Sequence, residues 1–195
     1  MRILVIQNRM GIGDMVIFLP FIEAISKNYG VPVSILVKEN SKAIQFLKDN
    51  TIIDKIIILD RDNNVKNGRH DGFFGSFHLA KDLKKYSFNK IFIFNSSLRF
   101  NLISRAAGIK NIYQYPLFQK KNQHIIDAAK KFIKKELSLE IKSDPKILVN
   151  EQLIKNSESK YKINKEEKNI LLGIGGSGPT KRVPAKIFID FMDLV

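Results

Sequence analysis

Short apolar runs alternate with amphipathic stretches along the chain. Ile3 to Gln7 reads as a buried strand, and Val33 to Val37, Lys55 to Leu59 and Ile91 to Phe94 as three more. Between them, Asp14 to Tyr29, Ser41 to Lys48, Ser76 to Lys85 and Leu98 to Ala107 keep helical spacing, with Gly30 and Gly108 as stops. A short extended segment, Asn111 to Tyr115, precedes a long helix over Asn122 to Leu137. This alternation predicts a doubly wound α/β domain built on a parallel sheet. Ligands of such sheets sit at the carboxyl ends of the strands, so chemistry is expected just after Gln7, Leu59 and Phe94.

From about Asp144 to Lys168 the chain turns polar and charged, which reads as an interdomain passage with a helical piece. Asn169 to Gly173 is then expected as a new buried strand, followed by a glycine-rich loop and a helix from Pro184 that keeps its spacing to the last residue. A strand and helix that open a second α/β unit and stop inside the helix predict a truncated second domain. The expected division is residues 1–165 and 166–195.

At 195 residues and 44% hydrophobic composition the chain can bury a core, and nothing points to disorder. The net charge of +14 comes mostly from lysine. Such a surface attracts phosphorylated substrate, anionic lipid or nucleic acid, but the lysines are scattered rather than striped, as a bias toward Lys, Ile and Asn also produces. No cysteine is present, which excludes disulfides and thiolate metal sites. No signal peptide or spanning segment is visible, and a cytoplasmic location is expected.

Four segments carry candidate chemistry. Gly11-Ile12-Gly13-Asp14 follows the first strand. Its glycines allow a tight turn open to a ligand, and Asp14 reads either as a helix N-cap or as a functional carboxylate. Val16 at the third glycine position excludes the dinucleotide fingerprint. Asp60-Arg61-Asp62 has the form of a metal-binding D-x-D but reads first as a charged turn. Asn95-Ser96-Ser97-Leu98-Arg99 opens a helix after the fourth strand, where amides and hydroxyls either cap or grip a sugar or phosphate. Gly173 to Pro184 satisfies G-x-G-x-x-G at Gly173, Gly175 and Gly178. Pro179 and Pro184 delay the helix, and Pro179 fills the lysine position of a P-loop. What remains is a glycine loop leading to Thr180, Lys181 and Arg182, which suits a pyrophosphate. His70, His78 and His124 lack metal spacing and read as surface or internally satisfied residues.

Taken in order, these segments resemble the ADP-heptose:lipopolysaccharide heptosyltransferases, glycosyltransferase family 9. The opening I-L-V-I-Q-N-R-M-G-I-G-D-M-V-I-F-L-P is similar to that family's start, and Ile52 to Arg61 to its third strand and basic exit. Phe88 to Gly108 is similar to its fourth strand, polar loop and Arg-Ala-Ala-Gly helix end. Gly173 to Pro184 resembles its donor loop, with Val183 in place of the usual aromatic. The resemblance implies a GT-B fold: an acceptor-side Rossmann-like domain, here followed by the first strand and helix of the nucleotide-sugar domain. It implies inverting, metal-independent transfer of heptose from ADP-heptose to a lipid A/Kdo-type inner-core acceptor. No cofactor or nucleic acid is involved, and peripheral contact with the inner membrane is compatible. Asp14 would be the general base. Gly11, Gly13, Arg61, Ser97 and Arg99 would line the acceptor side, with Lys120 and Lys121 as weaker candidates. Ser177, Thr180, Lys181 and Arg182 would hold the donor. The rival reading is a truncated or non-catalytic domain that binds an anionic glycan or nucleotide without turnover.

Overall fold

Five strands line up as one parallel sheet in the computed structural model, which describes residues 1–9, 11–61, 68–117, 123–175 and 182–194. They are β1 (Ile3–Gln7), β2 (Val33–Val37), β3 (Ile53–Ile58), β4 (Lys90–Ile93) and β5 (Asn111–Gln114), in the spatial order β3-β2-β1-β4-β5. All four pairings are parallel, with Val5 level with Ile35 on one side and Phe92 on the other. β1 and β2 are buried at every position, as befits strands covered on both faces.

The pleat divides the core in two. Ile3 and Val5 point into a cluster with Phe18, Ile22 and Phe132, under α1 (Ile12–Tyr29) and α5 (Ile125–Leu137). Leu4 and Ile6 point the other way, into a cluster with Leu79, Leu83, Phe100 and Ile103, under α3 (Gly72–Lys84) and α4 (Leu98–Ala106). α1 ends where Gly30 turns left-handed at φ 64°. Its N–H and that of Val31 close back on the carbonyls of Lys27 and Ser26, a Schellman-type stop.

β1 and β2 have the predicted bounds, and β4 lies one residue earlier than expected. β3 begins two residues earlier than its apolar run suggests. It is an edge strand, and Ile53 and the exposed Asp54 lie within its ladder rather than before it. The segment Asn111–Gln114 is more than extended: it completes the sheet beside β4. The predicted helix at 41–48 divides into a 3₁₀ turn (Glu39–Ser41) and the short α2 (Ala43–Leu47), because Lys42 sits at φ 54° between them. α3 starts four residues before Ser76, taking in Gly72-Phe73-Phe74-Gly75, a stretch that by composition reads as loop.

The chain separates into two compact units, Met1–Leu148 and Val149–Val195. The second contains α6 (Glu151–Lys160), whose first turn is capped by the Asn150 side chain accepting from the Gln152 N–H at 2.7 Å, and α7 (Ala185–Met192). The strand expected at 169–173 is absent. These residues form no ladder, and Leu171 is 97% exposed. An apolar run becomes a strand only where another strand takes up its backbone groups, and among the described residues none pairs with it. No helix among the described residues is long and apolar enough to cross a membrane.

Candidate functional site

β1 has β2 on one side and β4 on the other, so the connections leaving the sheet diverge at its carboxyl end, the switch point at which ligands of such sheets bind. The Asn95 amide, just past β4, donates to the Asn8 side chain, just past β1, at 3.1 Å. The Asn95 oxygen also accepts from the Ser97 N–H at 2.8 Å, and Gln114 donates to the carbonyls of both Asn95 and Ser97 at 3.1 and 2.9 Å. These bonds tie the ends of β1, β4 and β5 together and fix the entry to α4. The predicted polar segment 95–99 is thus a bracing network, and its Ser97 hydroxyl is not used as a cap.

Between Asn8 and α1 the backbone turns at Gly11, whose φ of 105° no L side chain adopts readily. Gly11, not Asp14, is the N-cap residue. The capping alternative for Asp14 is therefore not realised, because the carboxylate lies a turn too late, at the third helical position. The Asp14 side chain is half-buried and makes no hydrogen bond or ion pair among the described residues. Gly13 has ordinary backbone angles and nothing within 4 Å of where a Cβ would stand, so packing does not require a glycine there.

The same edge gathers cations. Arg61, three residues past β3, donates through Nε to the Asp71 carboxylate at 3.2 Å. Arg99, in the first turn of α4, donates to the His70 carbonyl, while its Nε is buried without a partner. Burial, and then the charge of Arg61, lowers the pKa of Arg99; Asp71 works in the opposite direction. Lys38, directly past β2, is lowered for the same reasons. Three positive groups from three strand ends thus have Asp71 as a common neighbouring carboxylate, and a cluster in which cations outweigh it favours an added anion.

Asp14, Arg61 and Arg99 all follow the carboxyl ends of their strands, the edge on which the sequence places them. Lys38 and Asp71 were not singled out by the sequence, and His70 reads there only as a surface or internally satisfied residue. Lys38 stands first after an apolar run and Arg61 second after another, so a basic residue close to a strand end is the signal common to both.

Asp60 is a strut rather than an open ligand. Its carboxylate accepts from the Arg69 N–H at 3.1 Å, and its carbonyl from the His70 N–H at 2.9 Å. His70 is 5% exposed and fully engaged: Nδ1 accepts from the Asp60 N–H at 3.1 Å, which leaves the proton on Nε2, 3.3 Å from Asp82. Among the described residues no cluster of acids and histidines could hold a metal. Asp62, Lys120, Lys121, Ser177, Thr180 and Lys181 lie outside the described residues. Arg182 is exposed in the second unit.

Two further polar groups escaped the sequence. The Gln7 amide, at the carboxyl end of β1, is 1% exposed with neither its nitrogen nor its oxygen hydrogen-bonded. The ladders place Gln7, Phe94 and Tyr115 on one row, and the buried Tyr115 hydroxyl is also unpaired, its pKa pushed up by burial and drawn back by Arg9. Unpaired buried groups of this kind each cost about 1–3 kcal/mol.

No protein-family model and no curated protein matches the chain. Among solved structures, its fold is similar to that of a family 9 glycosyl transferase from Veillonella parvula, with a TM-score of 0.75 at 19% identity over 99% of this chain. It is also similar to the ADP-heptose lipopolysaccharide heptosyltransferase II of E. coli, with a TM-score of 0.65 at 16% identity over the whole chain. The chain spans 59% and 62% of the length of those two proteins. At these identities the likeness is one of fold.

Proposed function

We propose that this chain is the acceptor-side part of a GT-B glycosyltransferase that moves a heptose from ADP-heptose to the inner core of lipopolysaccharide, with inversion and without a metal. The observation that carries the reading is the Asp14 carboxylate, uncommitted to capping or ion pairing among the described residues, at the switch point of a Rossmann-like sheet whose edge is lined by cations. The likeness of fold to the two transferases supports it.

In this mechanism the acceptor hydroxyl gives its proton to Asp14 as its oxygen attacks the anomeric carbon. The bond from that carbon to the ADP phosphate oxygen breaks on the opposite face. Lys38, Arg61 and Arg99 hold the phosphate and carboxylate groups of a lipid A/Kdo-type acceptor. Thr180, Lys181 and Arg182, with Ser177, offset the charge that develops on ADP. The second unit, on this reading, opens the nucleotide-sugar domain. The cationic edge alone also supports a second reading, binding of an anionic glycan without turnover, because all three of its cations lie within Met1–Leu148.

Release of ADP from ADP-heptose in the presence of a deacylated inner-core acceptor tests the proposal. Turnover is expected to survive excess chelator, since the Asp60 carboxylate already has a backbone N–H as its partner. Loss on chelation, restored by manganese or magnesium, overturns metal independence. ADP-heptose left intact with the acceptor bound selects the second reading.

Gly13→Ala supplies a second measurement. Alanine at this open helical position is expected to raise stability by up to about 0.5–1 kcal/mol. If substrate approaches the turn, the same methyl group lowers kcat/KM roughly tenfold or more. Unchanged kcat/KM would place the substrate elsewhere.

A further inference from the structure

We infer that the outer face of α3, continued by α4, is a docking surface for an anionic phospholipid bilayer. α3 buries Gly75, Leu79, Ala80 and Leu83 against the sheet. Its opposite side, where a helix of this kind normally shows polar residues, carries Phe73, Phe74 and Phe77 at 73, 76 and 58% exposure. Phe73 meets the other two rings edge-on, with centroids 5.9 and 5.1 Å apart, and this mutual stacking still leaves all three in water. α4 packs beside α3 on the same sheet face and exposes Leu98 and Leu102 in its first turns. Isolated apolar residues on a surface are ordinary, but five on the opening turns of two neighbouring helices are not.

Charge identifies the occupant. The last turns of α3 expose Lys81 and Lys84, neither with an ion-pair partner among the described residues. The neighbouring acids are committed: Asp82 is gripped by Arg69 at 2.9 Å and Lys85 at 2.8 Å, and Asp71 pairs with Arg61. The patch is therefore apolar with a lysine rim and, among the described residues, no free carboxylate. Protein interfaces are depleted in lysine, whereas segments that lie on membranes combine Phe and Leu with lysines that meet acidic headgroups. The phenylalanines stand at the end of α3 nearest the carboxyl edge of the sheet, so a bilayer seated on them adjoins the edge that bears Asp14. The inference goes beyond the transferase proposal and does not depend on it, since lipid binding requires no turnover.

The sequence contains no tryptophan, so Phe74→Trp places a single reporter in the patch. With vesicles of phosphatidylethanolamine and phosphatidylglycerol, its emission is expected to shift to the blue and to be quenched by brominated phosphatidylglycerol. Phosphatidylcholine vesicles should do neither. Adding Phe73→Ser and Phe77→Ser should weaken partitioning roughly tenfold or more with an unchanged circular dichroism spectrum, since these side chains support no core. Lys81→Glu with Lys84→Glu should abolish the preference for the anionic lipid. Three results overturn the inference: no binding; co-sedimentation with unmoved emission, which means attachment through scattered lysines; and blue emission before lipid is added, which means that a second copy or another segment covers the patch.

Discussion

Asp14→Asn is expected to lower turnover by roughly a hundredfold or more, the usual contribution of a positioned general base, while leaving stability within about 1 kcal/mol. The two effects separate because of where the side chain stands. Asn has the same shape as Asp, and the Asp14 carboxylate makes no bond among the described residues that the exchange could break. The N-terminal cap of α1 is Gly11, so no cap is lost. All that stability loses is the attraction between a carboxylate and the positive end of an 18-residue helix, about 0.3–1 kcal/mol at a surface. Catalysis loses the proton acceptor. Initial rates of ADP release and a thermal unfolding midpoint, taken on the same preparations, check both halves. Near-normal turnover would reduce Asp14 to a partner of the helix dipole and remove the proposed chemistry with it. A large fall in both would mean that Asn at this position disturbs the turn, and Asp14→Ala would then show whether activity follows the fold or the carboxylate.

How much of this arrangement could be read from the sequence depends on how local its causes are. β1 and β2 show their full extent because they bury every side chain, whereas β4, equally interior, begins at the half-buried Lys90, one residue before its apolar run. The edge strand β3 hides its start, since solvent on one side permits the charged Asp54 within it. Asp14, Arg61 and Arg99 are visible because a strand followed by a glycine turn or a basic residue marks the carboxyl edge. Lys38 occupies an equivalent place but is one lysine among many. Asp71 could not be found at all, and His70 was legible only as a surface or internally satisfied residue: their roles arise from the return of the loop after β3 to meet Asp60 and Arg61, contacts set by tertiary packing. The run at 169–173 has the composition of a buried strand but lacks what composition cannot supply, a neighbouring strand. The exposed phenylalanines of α3 were hidden because Gly72 and Gly75 flank two of them and make the stretch read as loop, so that the helix is expected to begin only at Ser76.

Gly75→Ala is expected to destabilise the first unit by about 3 kcal/mol, lowering its unfolding midpoint by roughly 10 °C. A Cβ on Gly75 would stand 2.2 Å from the carbonyl carbon of His70, 2.6 Å from its oxygen and 2.8 Å from its Cα. These are backbone atoms, so no side-chain rotation relieves the clash. The His70 backbone is also held in place: its N–H donates to the Asp60 carbonyl, its ring bridges the Asp60 N–H and Asp82, and its carbonyl accepts from Arg99. α3 cannot easily retreat either, since Leu79 and Leu83 are seated in the core one and two turns further on. Either the helix or the brace must give way, and if the brace yields, Arg99 loses its anchor and the cationic edge loosens. Binding of an anionic glycan should then weaken along with stability. Gly72→Ala isolates the alternative cause. Gly72 lies at φ 63° with open space around it, so alanine there bears only the conformational penalty, about 1–2 kcal/mol, without a clash. If Gly75→Ala proves no worse than Gly72→Ala, the helix does not press on His70 as closely as described, and the coupling of α3 to the cationic edge has no basis.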